Sequence, residues 1–161
     1  MAISLWLKPQ FVAGESYVLV SKMDGDYDGW ELVYNGNHQV GYGSSATINK
    51  VLYFDVDNNQ QAIMTNGLTL NNGQWYHILA TYKFETNSGT TGRGKIYVDG
   101  VDKTAVSESG EVDNTDSNLV IGSRSYDKTL PLKGVLDEVG LYSWELNEGQ
   151  ILDLYNAGTL S

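Results

Sequence analysis

Apolar and polar residues alternate along most of the chain, which is the pattern of strands that bury one face. In residues 51–56, for example, Leu52 and Phe54 point to one face, whereas Tyr53 and Asp55 point to the other. The same pattern recurs in short runs that are separated by clusters of glycine, asparagine and aspartate. It predicts strands at residues 4–8, 17–22, 30–34, 38–42, 51–56, 61–64, 76–84, 95–98, 101–106, 119–122 and 132–142.

One segment near the C-terminus has helical periodicity instead. Asn147 can cap this segment, and Gln150 lies at the position that completes a capping box. Ile151 and Leu154 then share one face, and Gly158 is expected to end the helix. A single short helix does not change the class of fold that the strands indicate.

The turns and the chain length complete the prediction of the fold. Asp99-Gly100 separates two β-rich runs and supplies the positive φ angles of a two-residue hairpin turn. The strands have one apolar face and one mixed face of tyrosines and carboxylates, which is typical of stacked sheets with a solvated outer face. We therefore predict an all-β, two-sheet antiparallel β-sandwich with one short C-terminal helix, forming a single domain of residues 1–161.

Composition narrows the classes of partner. The chain of 161 residues has 20 acidic and 10 basic residues, so its net charge is -10, which disfavours nucleic acid and anionic membranes as partners. It contains no cysteine, which excludes disulfides, thiolate metal sites and a cysteine nucleophile. Apolar runs stay far below the ~20 residues of a membrane-spanning helix, so we expect no membrane insertion.

Five segments carry a family likeness in the same order: SLWLKP, VLVSKMDGDYDGWEL, NNGQWYHILATY, KIYVDG and KGVLDEVGLYSWELNEGQILDLYNAG. With them the chain resembles the laminin-G-like, concanavalin-A-like jelly rolls, most closely the lectin-like modules of bacterial secreted enzymes and surface proteins. The resemblance implies a jelly-roll sandwich, a secreted or cell-surface location and a place among other domains of a parent protein. Such modules usually carry a further strand before SLWLKP, so we expect either an upstream strand or an exposed edge on the strand at 135–142.

The sequence Asp24-Gly-Asp26-Tyr-Asp28-Gly matches the first half of a calcium-binding loop. Carboxylates at alternate positions supply the oxygen ligands that calcium prefers. Asn35 replaces the glutamate that would close an EF-hand, so this is not an EF-hand. The resemblance implies a structural calcium that is shared with Asp137 of the closing strand. The alternative is an acidic surface turn, because aspartate and glycine favour turns.

The 18 aromatic residues offer rings on which sugars can stack. Strand alternation and neighbouring glycines place four residues on one predicted glycan-binding surface: Tyr42, Tyr53, Asp55 and His38. Tyr97 and Tyr126 are also expected to be exposed. We expect Trp6, Trp30, Trp75 and Phe54 to fill the core, and the resemblance implies a structural role for His77.

Catalysis is not expected. Asp55 and Asp57 share a strand face, but the carboxylate-rich strand of the glycosidases with this architecture is missing. Asp137 and Glu138 are adjacent and should point to opposite faces. We therefore predict a non-catalytic, lectin-like module that binds a polysaccharide or glycan. The alternative is a structural or adhesion domain of a bacterial surface or phage protein that binds protein partners.

Overall fold

Two antiparallel sheets pack face to face in the computed structural model, which describes residues 1–26, 28–35, 50–56, 62–83, 93–107 and 115–159. Within these residues the elements are β1 (Ala2–Pro9), β2 (Ser16–Met23), β3 (Gly29–Asn35), β4 (Val51–Asp55), β5 (Ala62–Thr65), β6 (Tyr76–Lys83), β7 (Arg93–Val98), β8 (Val101–Asp102), β9 (Thr104–Ser107), β10 (Val120–Ile121), β11 (Gly134–Tyr142) and α1 (Glu148–Thr159). Sheet A has the order β11-β1-β6-β7-β8, and sheet B has the order β10-β2-β3-β4-β5-β9. The predicted all-β sandwich is confirmed. The strand predicted at 38–42 lies outside the described residues.

Alternate residues of the two sheets meet in the core. Leu5 and Ile78 of sheet A and Leu32 and Phe54 of sheet B are all fully buried in one apolar cluster. Burying each such side chain contributes about 1.5–3 kcal/mol. The predicted faces of β4 are therefore correct, because Phe54 is 0% exposed while its neighbour Tyr53 is only partly buried.

The segment 101–106, predicted as one strand, is two strands in different sheets. β8 continues sheet A beyond the Asp99-Gly100 turn, whose φ angles of 52° and 74° fit the predicted hairpin. The chain then crosses at Lys103, and β9 pairs with β5 of sheet B. The Asp102 carboxylate stabilises this crossing by accepting the Thr104 N–H at 3.0 Å.

Helix α1 covers the outer face of sheet A. Its capping box is formed as predicted, since the Asn147 and Gln150 side chains each accept the other's backbone N–H at 3.0 Å. Ile151 packs on Tyr97, which is 5% exposed, so the expected exposure of Tyr97 is wrong. No helix in the described residues is long and apolar enough to cross a membrane.

Gly158 does not end the helix, which continues to Thr159. A Cβ at Gly158 would lie 2.1 Å from Nε1 of Trp6, so glycine allows the last turn to approach the indole. Trp6 itself lies on the outer face of sheet A, beside His77 and Tyr155. The prediction that Trp6 fills the core is therefore wrong, and so is that for Trp75, which is 39% exposed.

Among the described strands, β11 lies at one end of sheet A. Its pairing with β1 is interrupted by a bulge between Ser4 and Trp6. Glu138 lies within this bulge, and its φ of 48° is in the left-handed region. The bulge disturbs the alternation of side chains along this edge.

Candidate functional site

The outer face of sheet B holds two of the predicted glycan-binding residues. Tyr53 pairs with Val33 and Asp55 pairs with Glu31 across β3 and β4, so these side chains share the face opposite to Phe54. Tyr53 and Asp55 are both half-buried and so are partly open to solvent. The other two predicted residues, His38 and Tyr42, lie outside the described residues, as does Asp57.

An ion pair that the sequence analysis did not identify lies beside them. Arg124 donates from Nε to Oε2 of Glu31 at 3.1 Å and from Nη2 to Oε1 at 2.9 Å. Glu31 is 2% exposed, so the pair neutralises a carboxylate that would be costly to bury alone. Burial opposes the charge of Arg124, but the hydrogen bonds and charge of Glu31 raise the pKa of Arg124 above its ordinary value.

Arg124 also positions an aromatic ring. Its guanidinium lies 5.5 Å from the centroid of Tyr126, and Nη1 donates to the Tyr126 hydroxyl oxygen at 3.3 Å. The charge of Arg124 also interacts with the Tyr53 hydroxyl. We call Glu31, Tyr53, Asp55, Arg124 and Tyr126 the sheet B patch. It combines two half-buried tyrosine rings with two carboxylates and one guanidinium.

The loop that carries Arg124 and Tyr126 is attached to strand β2 of sheet B by hydrogen bonds of Ser125. Ser125 is 7% exposed, and its hydroxyl meets the Ser21 hydroxyl at 3.0 Å and accepts the backbone N–H of Met23 at 2.7 Å. The loop is therefore held against β2 by buried hydrogen bonds. A fixed loop presents the patch without the entropic cost of ordering it upon binding.

Asp24, the first of the predicted calcium ligands, forms hydrogen bonds within its own turn and to Thr115. Oδ1 of Asp24 accepts the backbone N–H groups of Asp26 and Asp28 at 3.0 Å, and Oδ2 accepts the Thr115 hydroxyl at 3.0 Å. Burial opposes ionisation, but these hydrogen bonds hold the pKa of Asp24 below its ordinary value. Asp24 thus acts as a turn-forming residue.

Asp137 lies in the other sheet, on β11, where it pairs with Trp6. Among the described residues, no group of three or more histidine, cysteine, aspartate or glutamate side chains is placed to hold a metal ion. Calcium binding stays a prediction from the sequence pattern.

Two antiparallel sheets stacked face to face define a concanavalin A-like β-sandwich. The chain belongs to the concanavalin A-like lectin/glucanases superfamily, whose Laminin_G_3 family model matches residues 1–152. A search of the curated proteins gave no match.

Solved structures support the fold. Domain 4 of AbnA, a GH43 extracellular arabinanase from Geobacillus stearothermophilus solved with arabinotriose, is 20% identical with a TM-score of 0.62. The match covers 96% of this chain and 65% of that one. The binding domain of Paraclostridial Mosquitocidal Protein 1 is 19% identical with a TM-score of 0.61. That match covers 98% of this chain and 37% of the binding domain. The Botulinum Neurotoxin Type G receptor binding domain is 16% identical with a TM-score of 0.60. That match covers 98% of this chain and 38% of the toxin domain.

Proposed function

We propose that the chain is a non-catalytic carbohydrate-binding module and that the sheet B patch binds the saccharide. The observation that carries this proposal is that the two faces of β4 differ in exposure. Phe54 is fully buried, while Tyr53 and Asp55 remain partly open on the outer face. Tyrosine offers an apolar ring for the C–H face of a sugar and a hydroxyl that forms hydrogen bonds. A carboxylate beside it accepts hydrogen bonds from sugar hydroxyls.

The surroundings of Tyr53 suit this role. Arg124 is fixed by both oxygens of Glu31, so its position does not have to be ordered by the ligand. The Tyr126 ring is held by the same guanidinium and adds a second aromatic surface. His38 and Tyr42 are proposed to extend this surface, following the sequence pattern.

The absence of catalysis is also a proposal. Glycoside hydrolysis needs one carboxyl group as acid and a second one as base or nucleophile. The cross-strand neighbour of Asp55 is Glu31, and both of its oxygens accept hydrogen bonds from Arg124. A carboxylate held in this way is not available to a glycosidic bond, so Asp55 has no catalytic partner in Glu31.

The setting of the module is proposed from its relatives. The chain spans 65% of the AbnA domain and less than two fifths of the two toxin domains. One of these structures is described as part of an extracellular arabinanase. We therefore place the chain in a secreted or cell-surface protein, beside other domains.

A binding screen tests the function. The protein is run in native gels that contain arabinan, xylan or β-glucan, and retardation measures binding. Tyr53→Ala should weaken binding to the retarding polysaccharide by about fivefold or more, since the stacking ring is lost. Tyr53→Phe, the matched variant, keeps the ring and should bind much more like the wild type. Equal retardation of wild type and Tyr53→Ala would refute the assignment of the patch.

One observation favours the alternative, a structural or adhesion domain. β11 forms an end of sheet A and exposes Val135 and Leu141, which are 48% and 45% exposed. Edge strands of this kind can pair with strands of another protein. An adhesion domain would bind a protein partner, lose that binding upon Leu141→Lys and show no retardation by polysaccharide.

A further inference from the structure

A cleft of about 630 Å³ opens on the outer side of sheet A, on the sheet opposite to the sheet B patch. Its size falls within the ~300–1,000 Å³ of small-ligand sites. Six residues line it: Trp6, Trp75, Asp137, Glu138, Gly158 and Thr159. We propose that this cleft, the sheet A cleft, is a second saccharide site that takes a neutral sugar. The ligand class rests on the proposed function, but the residues of this cleft are different from those of the sheet B patch.

The aromatic surface of the sheet A cleft is Trp75. It directly precedes β6 and is 39% exposed, although tryptophan is usually well buried. The ammonium group of Lys8 lies 5.9 Å from the ring centroid. This contact orients the indole and places a hydrogen-bond donor next to it.

Two carboxylates face the same cleft because of the bulge in β11. In a regular strand, Asp137 and Glu138 would point to opposite faces, as the sequence predicted. The left-handed backbone of Glu138, with φ of 48°, breaks the alternation, and both residues line the cleft. Oδ1 of Asp137 accepts the Glu138 backbone N–H at 2.8 Å, which fixes the first carboxylate.

These carboxylates have unused acceptor capacity. Within the described part of the chain, neither Asp137 nor Glu138 forms a salt bridge. At the wall of the cleft, Nε1 of Trp6 is buried and has no hydrogen-bond partner. The cleft therefore presents two carboxylates that form no ion pair within the described residues, whereas Nε1 of Trp6 is covered by Gly158.

The chemistry selects the ligand class. An exposed indole beside hydroxyl acceptors suits the apolar face and polar edge of a sugar ring. Two carboxylates repel uronates, sulfates and phosphates, so the sugar should be neutral. Lys8 lies next to the indole and disfavours a cationic ligand there.

The experiment uses the intact chain in native gels that contain arabinan, xylan or β-glucan. Trp75→Ala should weaken binding by about fivefold or more, both alone and in a Tyr53→Ala background. Trp144→Ala is the matched control, because Trp144 is 57% exposed and lies outside the cleft, and it should bind like the wild type. Glu138→Gln keeps the side-chain shape and should also weaken binding, which covers the case in which Trp75→Ala folds poorly.

The outcomes separate the two proposals. If Tyr53→Ala loses binding while Trp75→Ala and Glu138→Gln do not, the second site is wrong and the proposed function stands. If Trp75→Ala alone loses binding, the sheet A cleft holds and the role of Tyr53 is wrong. Wild-type protein that no polysaccharide retards would overturn both.

Discussion

The buried histidine of sheet A makes stability depend on pH. His77 is 1% exposed, contacts the rings of Trp6 and Tyr155, and meets the Ser4 hydroxyl through Nε2 at 2.8 Å. Its Nδ1 has no hydrogen-bond partner in the described structure. Burial lowers the pKa of His77 from 6.5 to about 4, because the charged imidazolium would lose its hydration.

The size of the effect follows from this shift. Between pH 6.5 and pH 4 the unfolded chain binds a proton that the folded chain does not, so acidification favours unfolding. A shift from 6.5 to about 4 corresponds to about 3 kcal/mol of unfolding free energy, at 1.36 kcal/mol for each pKa unit. This stability is present above pH 6.5 and is lost progressively toward pH 4. For a domain of this size it amounts to about 6–12 °C in Tm.

Urea unfolding followed by tryptophan fluorescence measures this contribution. Wild type and His77→Gln are compared at several pH values between 7 and 4, so that carboxylate titrations common to both proteins cancel. Glutamine remains neutral, and the variant should therefore lose about 3 kcal/mol less than the wild type over this range. Parallel pH profiles for the two proteins would refute the argument that His77 is held neutral by burial.

Other variants test the packing and the predicted metal. Phe54→Ala should lower the free energy of unfolding by about 3–5 kcal/mol, measured by thermal melting, whereas Tyr53→Ala on the outer face should lower it by less than about 1 kcal/mol. The reverse order would mean that β4 is shifted by one residue. Gly158→Ala should destabilise by about 1–3 kcal/mol in urea, because its Cβ would meet the Trp6 indole, while Asn156→Ala in the same helix should change little. If the chain binds calcium, a hundredfold excess over Kd should add about 2.7 kcal/mol relative to chelator, and identical melting curves would contradict calcium binding.

Local features of the fold were predictable from the sequence. Alternation assigned Tyr53 and Phe54 to opposite faces because each strand must bury one side, and β4 confirms this. The capping box of Asn147 and Gln150 needs only residues three positions apart, and it is formed as predicted. The alternating strands predicted the sandwich, and the family likeness of the motifs agreed with them.

Features that depend on distant parts of the chain were not predictable. Glu31 and Arg124 are 93 positions apart, and only the lone carboxylate in an apolar strand signalled that a partner was needed. Tyr97 is buried because helix α1 covers it, and strand alternation does not reveal such a cover. Trp75 was assigned to the core by its residue type, but its position before β6 leaves it open. The bulge at Glu138 has no sequence signal, since a left-handed glutamate is uncommon.

The position of β1 has a consequence for biosynthesis. β1 lies between β6 and β11, so Ala2 pairs with both Thr81 and Tyr142. At ~5–20 residues per second, the ribosome makes the first strand several seconds before its last partner. Sheet A therefore closes only after the segment of β11 has left the ribosome, and such distant pairings fold slowly. Until then the nascent chain carries an apolar strand with an unpaired edge, which is exposed to pairing with other chains.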